Sequence, residues 1–471
     1  MIPWVSERFA GGSDVWDRIR AGSVWRRAPG KRGANLHAAL VARPGSCIRQ
    51  LAQRKRARQI QFTRFLRNEA VTPEEIASHA AEHTATRAVG RDVVVVQDTS
   101  ELALGGRRAK ANGYGPIGKG GAVRGVLLHA VLAVDAGTGG VLGLVDAKVW
   151  NRTGGQAQNR RLRSTKQKES QRWIDGTRRA AEVLTQATSL IGVSDRESDI
   201  YEHFVLRPEN MQLIVRACQD RLIEADEKNE IDRLFSYVDS LPEQGRFKTA
   251  IPAAPGRKAR TGELAVRFSP VVLRKPKNGA AADLPETITL TMVDVRETST
   301  PPNGKPIHWR LLTTLAVTDL LEARRVVRLY RMRWVIEEYF HTQKTGSFDI
   351  EGTDIANPKA MIRFVAAVAV AAVTVLQLIK ARDGTTGQSL LEAFEPDDQP
   401  LLEAISAKVE GKTARQKNPY PKGSLAFAAW VLASLGGWDA YYGKPGPKTM
   451  SLGLEAFLRI KFGATLRLKD V

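Results

Sequence analysis

Four consecutive β-branched residues, Val93 to Val96, do most to limit what this chain can fold into. A run of that kind suits a strand covered on both faces, inside a sheet that carries helices. The residues downstream agree. Gly125 to Val134 and Val141 to Trp150 read as two more strands, with Ala136-Gly137-Thr138-Gly139 as the turn between them. A helical segment from about Gln171 to Thr188 leads to the apolar strand Leu190 to Val193, and a short helix beginning near Asp199 precedes the strand Leu213 to Val215. Three strands, then helix, strand, helix and strand, specify an α/β fold with a mixed sheet.

The flanks have a different texture. Residues 1 to about 70 read as helical and basic, with clusters at Arg26-Arg27, Lys31-Arg32 and Arg54 to Arg58. Thr72-Pro73-Glu74-Glu75 combines a capping Thr, a proline at the first helical position and a capping-box Glu. Between about 225 and 300, the short alternating runs Glu263 to Phe268, Val271 to Leu273 and Thr287 to Val295 predict an inserted β-rich subdomain. A strand at Trp309 to Thr314 then precedes a long helix from about Asp319 to Lys344. The remainder reads as helical, with a Gly/Pro/Lys-rich linker around Glu410 to Gly423.

Composition narrows the partners. Lys plus Arg total 71 against 50 Asp plus Glu, a net charge of +21. Such a surplus lies on the surface and attracts polyanions, with nucleic acid first among them; Arg-rich coding in a high-GC organism is the bland alternative. Cys47 and Cys218 lie far apart, which argues against a disulfide scaffold or a zinc cluster and fits a reducing cytoplasm. Met1-Ile2-Pro3-Trp4 is followed by charges, so no signal peptide is expected. Phe364 to Leu376 is shorter than the ~20 apolar residues that span a bilayer, and is expected to be a buried core helix.

Two acids stand at strand ends. Asp98 is expected just past the Val93 to Val96 strand, and Asp195 just past Leu190 to Val193. In open α/β sheets ligands bind outside the carboxyl ends of strands, so the pair can converge. Either alone is ordinary turn chemistry. A third acid has more specific company. Tyr330, Arg333, Glu337 and Lys344 follow a Tyr-x2-Arg-x3-Glu-x6-Lys pattern, which on an ideal helix falls within an arc of roughly 60°. The alternative is an exposed amphipathic face with an Arg333 to Glu337 charge pair. Three carboxylates suit hard divalent cations such as Mg²⁺, and two ions about 4 Å apart can drive an in-line displacement at phosphorus.

These residues resemble the bacterial insertion-sequence transposases with a DDE triad, in the branch typified by transposon five (the insertion-sequence-four family). The matching blocks are Val95-Val96-Gln97-Asp98-Thr99, Val193-Ser194-Asp195-Arg196-Glu197-Ser198-Asp199, and Tyr330-x2-Arg333-Trp334-x2-Glu337-Glu338 through Lys344. The spacings between the acids, 97 and 142 residues, are also similar to that branch. Shorter likenesses lie at Arg64-Phe65-Leu66-Arg67-Asn68, Pro301-Pro302-Asn303-Gly304 with Trp309, Gly423-Ser424-Leu425 and Leu435-Gly436-Gly437-Trp438, so the resemblance covers about residues 60 to 450.

The resemblance implies an RNase H-like catalytic core with a β-rich insertion and helical N- and C-terminal domains. Their expected bounds are a basic DNA-binding domain at 1–70, a core at 71–370 interrupted by the insertion at 225–308, and a dimerisation domain at 371–471. It implies two Mg²⁺ ions, with Mn²⁺ able to substitute, held by Asp98, Asp195 and Glu337. It implies nicking, hairpin formation, hairpin opening and strand transfer on double-stranded DNA, both transposon ends and target, by a homodimer that pairs two ends. Tyr330, Arg333 and Lys344 would contact phosphates, Trp309 would stack on a flipped base, and Arg216 would lie near that base. A nucleoid-associated cytoplasmic protein without a membrane partner is expected. The first 60 residues do not align, and Val126-Leu127-Leu128-His129 lacks the tryptophans expected beside it, so His129 reads as a core residue. Two other readings stay open: a silent or domesticated relative that binds DNA without cutting, and an unrelated metal nuclease or two-carboxylate glycosidase. The glycosidase leaves the +21 charge unexplained.

Overall fold

The computed structural model describes residues 28–105, 112–152, 168–224, 232–251, 259–277, 283–301 and 305–467, with backbone alone at 28–31, 119 and 465–467. The expected basic cluster Arg26-Arg27 and the segment Pro302-Asn303-Gly304 lie outside the described residues. The chain forms two compact units. One comprises Met1–His79, Arg107–Gly113 and Thr342–Val471; the other comprises Ala80–Gly106 and Tyr114–His341.

The first unit opens with helices α1 (Ala28–Ala42), α2 (Ile48–Leu51) and α3 (Arg56–Arg67). Helix α4 (Pro73–Ala88) carries the chain into the second unit. Its start is capped as expected, since Glu75 N donates to Thr72 Oγ1 at 3.2 Å.

The second unit is an α/β layer structure around one ten-stranded mixed sheet. Its strands are β1 (Asp92–Leu104), β2 (Gly115–Ile117), β3 (Val123–Asp135), β4 (Val141–Trp150), β5 (Ser189–Ser194), β6 (Met211–Arg216), β7 (Gly245–Ile251), β8 (Arg260–Arg274), β9 (Thr287–Glu297) and β10 (His308–Thr313). The order is β2-β3-β1-β5-β6-β10-β9-β8-β7, with β4 also paired to β3. β1, β5 and β6 are parallel, and β3 and β10 flank them antiparallel. This is the mixed sheet of an RNase H-like fold.

The strands β7 to β9 extend that same sheet rather than forming one of their own. Sequence patterning splits β8 at Ser269-Pro270, yet the strand runs unbroken through Pro270, which pairs with Thr291. β7 has no apolar signature because it is the edge strand, with every second residue exposed.

Between the strands lie α5 (Gln171–Val183), α6 (Tyr201–Val205) and α7 (Leu234–Ser240). α5 ends earlier than the sequence suggests, and buries Trp173, Ile174, Thr177, Ala180 and Ala181. Those positions follow helical spacing and form one stripe. Ala180 and Ala181 join Val93, Val95, Val131, Leu190 and Leu213 in the core.

The expected long helix from Asp319 departs from α pitch twice. Asp319 accepts from Glu322 N at 2.8 Å and starts α8 (Leu320–Arg331). A 3₁₀ turn, Met332–Trp334, follows, then α9 (Val335–His341) and a π turn, Thr342–Gly346, which enters the first unit. There the chain continues as α10 (Pro358–Ala381), α11 (Asp398–Val409), α12 (Leu425–Leu435) and α13 (Pro447–Arg467). α10 contains the apolar run and is long enough to cross a bilayer, but its most apolar window is 83% buried inside the protein. Its buried Arg363 bonds the carbonyls of Val71, Leu66 and Lys359, which satisfies its donors inside the protein.

Candidate active site

Strand register brings the first two acids together. Val96 of β1 pairs with Val193 of β5, and Asp98 and Asp195 each lie two residues further on. Asp98 is not past the end of its strand, as sequence patterning suggests. β1 continues to Leu104 against β3, and Asp98 pairs with Ala130. Only the pairing to β5 has ended. Asp195 does follow its strand directly, and caps the 3₁₀ turn Arg196–Ser198 by accepting from Glu197 N at 2.9 Å.

Arg333 connects these acids to the helix. Its Nη1 lies 3.0 Å from Asp98 Oδ2 and 3.3 Å from Glu337 Oε1. The other oxygen of Asp98 accepts from Thr99 N at 2.7 Å. The Asp98 carboxyl is pushed up to about 7, first by burial and then by the charges of Asp195 and Glu337, against the pull of the Thr99 amide and Arg333. A carboxyl whose proton affinity is raised by two neighbouring carboxylates lies in a site short of positive charge.

A hard divalent cation fits that chemistry. The donors are all carboxylate oxygens, and Asp195 Oδ2 and Glu337 Oε2 accept no hydrogen bond among the described residues. Among the described residues no three such side chains are already spaced as a metal cage. The guanidinium of Arg333 stands between Asp98 and Glu337 instead. A cation and Arg333 are therefore alternative partners for the same oxygens.

The remaining expected residues divide. Arg333 is buried and committed to carboxylates, so it does not present an open fork to phosphate. Tyr330 is also buried, at 2% exposure, rather than offering its hydroxyl on an exposed face. That hydroxyl interacts with Arg216 and Arg333; burial raises its pKa and the two arginines oppose the rise. Trp309 is half-buried and stands edge-on to Tyr330, with ring centroids 5.6 Å apart. Arg216 also donates to His308 O at 3.0 Å. Lys344 lies in the π turn, within the first unit, where its Nζ is 3.7 Å from Glu351. Its expected place on one continuous helix face rested on an unbroken pitch.

Nearby acids have other work. Asp199 is fully buried against Arg221 at 2.7 Å and accepts from the amides of Cys218 and Gln219. Glu197 pairs with Arg172 at 2.6 Å. His129 is buried as expected, but it is bonded to Thr99 at 2.9 Å and Gln97 at 3.2 Å rather than packed only against apolar groups. The sequence motifs do not include Arg172, and contain Gln97 and Thr99 only as neighbours of Asp98 with no role of their own. The one available signal was Gln97, a polar residue continuing a β-branched run.

Among protein families, the one described as a transposase DDE domain matches residues 96–373. The matched segment starts at the end of the valine run, contains all three acids and ends within α10.

Proposed function

The chain belongs to the family of transposases with a DDE domain, and from that premise we propose that it cuts and pastes DNA through Asp98, Asp195 and Glu337. Enzymes of this family act on DNA and generally use divalent metal ions. The finer reading is a sequence of nicking, hairpin formation, hairpin opening and transfer of the 3′ ends to target DNA. The observation that carries it is the shared position of Asp98 and Asp195 beyond one strand pair, with Arg333 joining Asp98 to Glu337.

Asp98, Asp195 and Glu337 would hold two Mg²⁺ ions, whose chemistry is to activate the attacking oxygen and stabilise the leaving one. The chain's own residues do the rest. Arg333, released from the carboxylates, has a planar fork suited to a phosphate next to the reacting one. The Tyr330 hydroxyl, which interacts with both Arg333 and Arg216, would help to orient it. Trp309 offers an aromatic face to an extruded base, which offsets part of its lost stacking. Lys344 would contact phosphate further along the strand.

Recognition of the ends is assigned to the basic helices at 1–70. A groove of about 520 Å³ there is lined by Arg32, Arg56, Gln59, Thr63, Arg64 and Arg67, a surface that matches a phosphate backbone. Pairing of two ends would need a homodimer, with 371–471 as the contact. The protein would work on the nucleoid in the cytoplasm.

The test is cleavage of DNA carrying the element's inverted repeats, in Mg²⁺ or Mn²⁺, by wild type and by Asp98→Ala, Asp195→Ala and Glu337→Ala. Each substitution should abolish nicking while DNA binding persists. Cleavage surviving any one of them would remove that residue from the site. Wild-type binding without nicking would favour the silent relative.

A further inference from the structure

We propose that Arg172 is a positioning residue: it grips the two residues whose backbone amides orient Asp98 and Asp195, and so holds those carboxylates in register. The proposal rests on the reading of Asp98 and Asp195 as metal-holding groups.

Arg172 opens α5 and its side chain is only 10% exposed. Its Nε donates to Thr99 Oγ1 at 2.7 Å, and its Nη2 donates to Glu197 Oε2 at 2.6 Å. Thr99 N is the donor to Asp98 Oδ1, and Glu197 N is the donor to Asp195 Oδ1. One guanidinium therefore ties together both aspartate-orienting residues. Its third edge donates to Glu169 O at 2.9 Å, and Trp150 and Trp173 cover it at 5.9 and 5.4 Å. Every part of the group is engaged, which leaves it one geometry.

A longer chain starts at the same hydroxyl. Gln97 Oε1 can only accept, so His129 donates to it from Nε2, 3.2 Å away. The neutral ring then accepts at Nδ1 from Thr99 Oγ1, 2.9 Å away. Gln97 Nε2 donates to Thr177 Oγ1 at 2.9 Å, and Thr177 faces His203 Nε2 at 2.8 Å. His203 completes the path by donating from Nδ1 to Ser198 O at 3.3 Å. Ser198 closes the Asp195 turn, through Oγ to Asp195 O at 3.0 Å. Two routes from Arg172 thus end on the turn that carries Asp195, one direct and one through the core. Both histidines are held neutral, mainly by burial, and the Arg172 charge adds to the effect at His129. Two carboxylates that repel each other need such a brace to keep a fixed separation.

Calorimetric titration of the full chain with Mn²⁺, without DNA, tests this. Arg172→Ala should weaken Mn²⁺ binding about 10- to 100-fold, and Arg172→Lys should recover part of it. DNA affinity measured in EDTA should match wild type in both variants. The ¹⁵N signals of His129 should shift in Arg172→Ala, where Thr99 Oγ1 loses a donor, and return toward wild type in Arg172→Lys. If Arg172→Ala does not fold, Glu197→Ala removes only the solvent-facing arm and should still weaken Mn²⁺ several-fold. Wild-type Mn²⁺ affinity in Arg172→Ala, with binding lost in Asp98→Ala, overturns the positioning role alone. Mn²⁺ binding that is equal in wild type and Asp98→Ala overturns the metal site itself, and this proposal with it.

Discussion

Replacing Asp98 with asparagine should stabilise the protein in metal-free buffer, and more so at higher pH. The native carboxyl releases its proton near 7, whereas the same group in the unfolded chain does so near 3.8. Between those values the native state holds a proton that the unfolded state has lost, so stability falls as pH rises through that window. Above pH 7 the accumulated loss is about 4 kcal/mol, and the side chain is only 15% exposed, so water screens little of it.

Asparagine keeps an acceptor for the Thr99 amide and ends the repulsion from Asp195 and Glu337. It also gives up the attraction of Arg333, which retains Glu337. The expected net gain is about 2–4 kcal/mol at pH 8, about 1–2 kcal/mol at pH 5 and close to zero at pH 3. Scanning calorimetry of both proteins in EDTA should show Asp98→Asn melting on the order of 5–10 °C higher at pH 8. Added Mg²⁺ should narrow the gap by stabilising wild type. A variant that melts at or below wild type at pH 8, or a gap that stays constant from pH 5 to 8, would refute the reasoning. Loss of cleavage in the stabilised variant would make Asp98 a case of function held at the expense of stability.

Three further outcomes are expected. His203 is buried and its pKa is pulled down to about 4 from an ordinary 6.5, so its contribution is intact above 6.5 and is lost as pH falls toward 4, about 3 kcal/mol in all. Acid melts should therefore be less steep for His203→Gln than for wild type, and equal slopes would contradict the assignment. Gly453 allows α12 and α13 to touch, since a Cβ there would lie 1.7 Å from the Leu432 carbonyl oxygen. Gly453→Ala should destabilise by roughly 1–3 kcal/mol or more, read by thermal unfolding; a melt like that of wild type would show that the helices part easily. In the basic groove, a double Arg56→Ala, Arg67→Ala variant should weaken DNA binding and flatten the slope of log K against log salt by about 2. An unchanged slope in fluorescence anisotropy would take the groove out of the DNA path.

Legibility from sequence followed burial. β3 to β6 were readable because their apolar runs are covered on both faces. β7 left no pattern because it is an edge, and the far half of β1 was hidden because Asp98 to Leu104 mixes polar and apolar residues. The pattern of Tyr330, Arg333, Glu337 and Lys344 identified the chemistry, but its angular reading assumed a single pitch. The 3₁₀ and π turns break that pitch, and helix periodicity in a sequence carries no sign of either.

The sequence by itself determined the residue types: three acids, the basic companions of Glu337, and the excess charge that points to DNA. Their chemistry belongs to the side chains and survives without coordinates. Only the tertiary structure decided which groups share oxygens. Asp98 meets Arg333 across 235 residues, and Arg172 reaches Thr99 across 73. Strand register sets such meetings, and register comes from packing the whole sheet rather than from any local stretch of chain.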